Sequence, residues 1–187
     1  MALTRNDLVG TLLEMIDAGN AFGKLNMRKL ARQVGCAHTN IYNYFATWEE
    51  LEWFALAETL DRLLRQLPDG LAAGNTERVP RVAYPFRYRF AWLDPITGTP
   101  PPEVDAVLAK PGLAFLRWLE AALERDAPEL GAQARSIGGY LHAYMHGELA
   151  FQATGRVRGV TPTAQELIAR TAGLYYAVIE QKKKENV

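Results

Sequence analysis

The sequence predicts an all-α protein. Apolar residues recur at helical spacing along nearly its whole length, capping and stop signals fall at the ends of those runs, and no useful stretch alternates with the period of two that a strand needs. Of the 187 residues, 49% are hydrophobic and 22% charged. That is the composition of a folded domain or two, not of a disordered chain. No apolar run approaches the roughly 18–20 residues that span a bilayer. The opening "MALTRNDLVGTLLEM" lacks the basic flank, apolar run and cleavage pattern of a signal peptide. A lone cysteine, Cys36, cannot form an internal disulfide. A cytoplasmic location is therefore expected.

The elements follow in order. Leu8, Leu12, Met15 and Ile16 predict a first helix over about Thr4–Ala18, closed by Gly19 and Gly23. Asn26 is a good N-cap for a short helix whose buried stripe is Met27, Leu30, Ala31 and Val34, and Gly35 ends it. A turn through Cys36 and Ala37 leads to a helix over about His38–Tyr44. Thr47 with Glu50 reads as a capping box that opens a long helix through Leu67, stopped by Pro68-Asp69-Gly70. Beyond the linker "DGLAAGNT", a helical segment holds Pro80 and Pro85, so it starts near the first or kinks at the second. "PITGTPPP" is a break. A short helix opens on proline near Pro102, another opens at Pro111, and a long mixed helix follows to about Thr154. Thr161 or Thr163 caps a last helix that frays in "KKKENV". There is no internal repeat.

One segment asks for a partner. On the His38–Tyr44 helix, Ile41 and Phe45 share one side with Tyr44, while Thr39, Tyr42 and Asn43 share the other, flanked by Asn40. Net charge is zero, yet from Lys24 to Trp48 the only charges are Lys24, Arg28, Lys29 and Arg32. Two helices joined by a tight glycine turn, the second with a polar front, form a helix-turn-helix pattern suited to the major groove. Asn can bond the adenine edge, Thr can offer a bond or a methyl contact, and Tyr hydroxyls and basic residues can reach phosphate. A solvated basic face and an ordinary helix pair are the plainer readings of the same residues.

The stretch "LNMRKLARQVGCAHTNIYNYFATWEELEWFALA" resembles the N-terminal domain of the tetracycline-repressor (TetR) family of bacterial transcription regulators. The matching residues are Met27-Arg28-Lys29-Leu30-Ala31, Gly35-Cys36-Ala37, Ile41-Tyr42-Asn43-Tyr44-Phe45 and Thr47-Trp48-Glu49-Glu50-Leu51. Two positions depart from the pattern. Ala37 stands where the family often has a capping Ser, so His38 or Thr39 is expected to cap. Trp48 stands where the family usually has a lysine that meets phosphate, and it can offer only an indole N–H. The expected DNA-contacting set is Lys24, Arg28, His38, Thr39, Asn40, Tyr42, Asn43, Tyr44, Thr47 and Trp48.

The resemblance implies a C-terminal helical domain that dimerises and holds a small effector. "YRFAWLDP" and "AYMHGELAFQATGR" resemble segments of a family branch with a recurring Trp, His-Gly pair and later Gly-Arg; His146-Gly147 and Gly155-Arg156 match. The expected organisation is a DNA-binding domain at 1–47, a connecting helix at 48–70 and an effector-binding and dimerisation domain at 71–187. Gly138, Gly139 and Gly147 cost about 1 kcal/mol each in a helix relative to Ala. They make sense where another helix packs closely. The last two long helices are thus expected to form a homodimer interface, an intramolecular core being the alternative. Tyr84, Arg87, Phe90, Trp118, Tyr140, His142, Tyr144 and His146 are the expected lining of an effector cavity, although such aromatic groups are more often core. His142 and His146 lie one turn apart, but Glu148 lies on another side of the helix, so no metal is expected there. Cys36 reads as a small buried residue in place of the usual Val, a redox sensor being the less expected reading.

No nucleophile–base pair, glycine-rich phosphate loop or metal set is present, so no enzyme and no cofactor are expected. The expected function is a dimeric regulator that binds double-stranded operator DNA, a repressor released by a small-molecule effector. The alternative is a helical carrier or sensor that has lost DNA binding.

Overall fold

The computed structural model describes residues 3–72, 86–126, 128, 133–154 and 164–185. Those residues are overwhelmingly helical, and none of them forms a strand. The order is α1 (Arg5–Asp17), a 3-10 turn (Phe22–Lys24), α2 (Met27–Val34), α3 (His38–Ile41), α4 (Trp48–Ala72), α5 (Phe86–Trp92), α6 (Pro102–Leu108), α7 (Lys110–Asp126), α8 (Gln133–Thr154) and α9 (Ala164–Glu185). The chain divides into two compact units. The first comprises Met1–Gln66 with Pro80–Pro111, the second Leu67–Val79 with Gly112–Val187.

The first unit is built around an apolar cluster. Leu8, Leu12, Leu13 and Ile16 of α1 meet Leu30 and Ala31 of α2, Ile41 and Phe45 around α3, and Leu51, Ala55 and Leu60 of α4. Local chemistry starts each helix. Thr4 Oγ1 accepts the Asp7 N–H at 3.2 Å, and the Asp7 carboxylate accepts the Thr4 N–H at 2.9 Å, closing a capping box. Asn26 Oδ1 accepts the Lys29 N–H at 3.0 Å at the start of α2. Gly35 ends α2 with φ 72°, a left-handed conformation that costs glycine nothing.

Three local expectations are corrected. Ala37 occupies the N-cap of α3, and no side chain caps it, neither His38 nor Thr39. The helix ends at Ile41, not Tyr44. Beyond it the backbone tightens into turns, with the Tyr44 N–H donating to Ile41 O at 2.9 Å. Without a cap, the short helix is held by packing at its far end, where Phe45 enters the core. Finally, α4 continues through Pro68 and Gly70 to Ala72. Proline lacks one donor, but its fixed φ is itself helical, and the sequence stop signal is overridden.

α5 belongs to the first unit. Phe90 is 1% exposed and belongs to the first unit's core, packed on Phe22 with ring centroids 4.9 Å apart. The buried Arg87 guanidinium ion-pairs with Asp17 and donates to Leu13 O at 3.1 Å. A cation at the C-terminal end of α1 also suits the helix dipole. Phe86 closes over Gly19, where a Cβ would meet the ring at 3.1 Å and where φ is 83°. The Trp53 indole N–H donates to Thr97 O at 3.2 Å, holding the loop that follows α5. Pro102 opens α6, which buries Val104. Residues through Pro111 thus cluster with the N-terminal helices and not with the last ones. The question of a start at Pro80 or a kink at Pro85 lies outside the described residues, as do Thr161 and Thr163. The described part of that helix begins just after Pro85.

In the second unit α8 and α9 pack together. Leu141 and Ala153 of α8 and Ile179 of α9 are buried. On α8, Tyr140, Tyr144, Gly147 and Phe151 fall on one stripe (i, i+4, i+7, i+11). Its ends are open, with Tyr140 75% and Phe151 55% exposed. His142 and His146 lie on the opposite side, in line with Ala153.

Breaking the buried pair tests how α5 is held to α1. Asp17→Ala leaves Arg87 buried without its counter-charge, and a loss of about 2–3 kcal/mol is expected, trimmed because Asp17 is partly solvated. Urea denaturation measures it; a change below about 0.5 kcal/mol, the scale of ordinary surface substitutions, removes the pair from this role.

Candidate nucleic-acid interface

The surface of interest is built from α2, α3 and the start of α4. Ile41 is fully buried and Phe45 is 1% exposed, so the back of α3 is fixed. Thr39, Asn40, Tyr42 and Asn43 are exposed in front of it, together with His38 at the first position. Lys24, at the end of the 3-10 turn, and Arg28 and Arg32, on α2, are also exposed. α2 and α3 pack against one another, which brings the neutral polar front and the basic residues into one region.

The segment after α3 is tied from several sides. Thr47 Oγ1 accepts the Glu50 N–H at 3.0 Å. The Glu50 carboxylate reaches past Thr47 to accept the Ala46 N–H at 2.7 Å, a capping box displaced by one residue. Its other oxygen takes the Arg5 guanidinium at 2.9 Å. Arg5 in turn lies over the Phe45 and Phe54 rings, 4.5 and 4.3 Å from their centroids.

Two members of the expected contact set turn inward. The Tyr44 hydroxyl donates to Leu3 O at 2.7 Å. Trp48 packs against the core, and its indole N–H donates to the Glu52 carboxylate. The N–H expected to meet a phosphate is therefore committed within the helix. Lys24, Arg28, His38, Thr39, Asn40, Tyr42, Asn43 and Thr47 remain exposed.

Glu52 was not singled out by sequence, nor was Arg5. Glu52 is 6% exposed, and burial pushes its carboxyl from an ordinary 4.5 up to about 7; the Trp48 hydrogen bond opposes this and the nearby Glu49 adds to it. The i, i+4 spacing of Trp48 and Glu52 was legible, but the burial was not. Arg5 acts on residues some 45 positions away, and no local pattern carries that.

The expected effector-lining residues fall in both units. Arg87 and Phe90 are committed to the first unit's interior. Tyr140 and His142 lie on opposite sides of α8, with Tyr144 near Tyr140 and His146 near His142. His142 and His146 stack, centroids 6.3 Å apart and planes 11° from parallel. Burial lowers the His142 pKa, and the charge of His146 adds to the effect. Trp118 lies on α7, its side chain outside the described residues; Tyr84, Gly155 and Arg156 lie outside them altogether. Cys36 is half-buried in the turn before α3. Among the described residues no group of three or more His, Cys, Asp or Glu could hold a metal, and no helix is long and apolar enough to cross a membrane.

The chain matches no protein-family model, and no curated protein or solved structure matches it.

The Glu52 site yields a pH prediction. The folded-state value lies above the unfolded one, so the folded protein keeps a proton that the unfolded chain releases. Stability from this group falls as pH rises from 4.5 to about 7. Glu52→Gln keeps an acceptor for Trp48 and removes the buried charge. Its gain in thermal midpoint over the parent is expected to be larger at about pH 8 than at about pH 5. An equal or reversed gain contradicts the assignment.

Proposed function

We propose that the protein is a dimeric DNA-binding transcription regulator of the helix-turn-helix kind, with α3 as its reading helix. The observation that carries this is the two-sidedness of α3 and the turn that follows it. Ile41 and Phe45 are spent on the core, while Thr39, Asn40, Tyr42 and Asn43 stand exposed beside Lys24, Arg28 and Arg32. Amides and a hydroxyl suit base edges, and the surrounding cations suit phosphates. The likeness of this segment to the TetR family adds to the reading. It also supplies its finer parts: a repressor released when a small molecule binds the second unit.

The second copy is proposed to meet the Tyr140–Phe151 stripe of α8 together with α9. An added Cβ at Gly139, Gly147 or Gly173 would meet nothing within 4 Å among the described residues. Tyr140, Phe151, Leu174 and Tyr176 are all exposed. Tyr140 and Phe151 share one stripe of α8, and an exposed apolar stripe commonly marks an interface. Two reading helices held by such a dimer would enter successive major grooves, about 34 Å apart.

The inward turn of Trp48 favours one amendment. With the usual lysine absent and the indole bound to Glu52, phosphate anchoring rests on Lys24, Arg28 and Arg32. The salt slope of binding is then shallower by about one unit per missing ionic contact. The alternative, a carrier or sensor without DNA binding, draws on this same observation.

Two measurements test the reading. In gel shifts against a duplex selected from a random pool, Asn43→Ala is expected to cost about 1–3 kcal/mol and relax specificity, as is Tyr42→Ala. Specific binding that survives both changes moves the reading surface elsewhere. Phe151→Glu is expected to convert a dimer to monomer in sedimentation; a monomeric parent, or a variant that stays dimeric, refutes the interface.

A further inference from the structure

The side chains on the front of α3 and its following turn are of one chemical kind. From Gly35 to Trp48 the chain holds no Lys, Arg, Asp or Glu. Relative to the buried Ile41, Thr39 and Asn43 lie farthest from the core, with Asn40 and Tyr42 on either flank. All four are exposed, Tyr42 at 51%. Two polar groups nearby are committed inward, the Tyr44 hydroxyl to Leu3 O at 2.7 Å and the Trp48 indole to Glu52. The exposed cations stand off this front, Lys24 in the 3-10 turn and Arg28 and Arg32 on α2.

Such a set of side chains discriminates among base pairs. In the major groove guanine offers two acceptors side by side, and Arg or Lys supplies the matching donors. Cytosine offers a donor, which Asp or Glu accepts. Neither kind of residue stands on the front. Adenine offers an acceptor beside an amino donor, and a carboxamide carries the complementary donor and acceptor. Asn40 and Asn43 are both of this kind. Thymine adds a methyl group, which the Thr39 methyl and the Tyr42 ring can cover. His38 is the exposed neighbour able to bond guanine, and a neutral imidazole has a single N–H to give.

We infer that, given the DNA-reading function proposed above, α3 and its turn read A·T base pairs through the major groove. Each half-site then carries adjacent A·T pairs beneath Thr39, Asn40 and Asn43. Lys24, Arg28 and Arg32 hold phosphates, a contact that carries no sequence information of its own.

The test begins with the full chain selecting duplexes from a random pool, and binding is measured by fluorescence anisotropy. Each A·T pair of the selected half-site is then replaced in turn by inosine·cytosine. That pair lacks the guanine amino group, so it presents the minor groove of A·T with the major groove of G·C. Selected half-sites should be rich in A·T, and replacements at the positions read by Asn40 and Asn43 should weaken binding roughly 5- to 150-fold. In Asn43→Ala the penalty at one position should disappear while the others persist, which assigns that base pair to Asn43. His38→Ala should keep the A·T preference. Half-sites with G·C at the positions whose preference changes in Asn43→Ala or Thr39→Ala overturn the inference and leave the regulator reading standing. So does an A·T preference indifferent to inosine·cytosine, which places readout in the minor groove or in duplex shape. A pool that yields no preferred sequence overturns both.

Discussion

Phe45 is the fixed point of the first unit. It sits in the core just beyond α3, the shortest α-helix among the described residues, which no side chain caps. Burying a Phe side chain is worth roughly 1.5–3 kcal/mol. The Arg5–Glu50 pair beside it is partly exposed on both sides and adds at most about 1 kcal/mol. Burial therefore dominates, and the charges refine it. Arg5 over the Phe45 and Phe54 rings and Glu50 on the Ala46 N–H orient the turn that joins α3 to α4. Because the back of α3 is held this firmly, its front is left to solvent and to whatever it meets.

The same logic explains why the first unit extends to Pro111. The buried Arg87 cannot be left without a partner, and its partners, Asp17 and the Leu13 carbonyl, are on α1. Phe90 follows it into the core. Of the residues that read in sequence as a cavity wall, Arg87 and Phe90 are thus buried in this unit. The second unit keeps a pair of stacked histidines on one side of α8 and exposed aromatics on the other. The exposed side carries the proposed interface.

Local chemistry was legible and long-range chemistry was not. The cap at Asn26, the left-handed Gly35 and the proline start of α6 all lie within a few residues of the groups they satisfy. The two faces of α3 also followed from helical spacing. Pro68 and Gly70 misled because stop signals are weak preferences in a long helix. Tyr44 and Trp48 misled because a hydroxyl or an indole N–H goes to the nearest acceptor. Those acceptors were Leu3 O, distant in sequence, and Glu52, whose burial no pattern announced. The Arg87–Asp17 pair spans 70 residues and had no local trace.

The central claim is that the exposed front of α3, with its basic neighbours, is a duplex-reading surface. Amide chemical-shift mapping of the labelled full chain, titrated with a selected duplex, tests it most directly. The account predicts that the largest shifts cluster at Lys24, Arg28, Arg32 and residues 38–43, with the buried Leu12 and Leu30 changing little. Shifts confined to α8 and α9, or no saturable shifts at low salt, would contradict it.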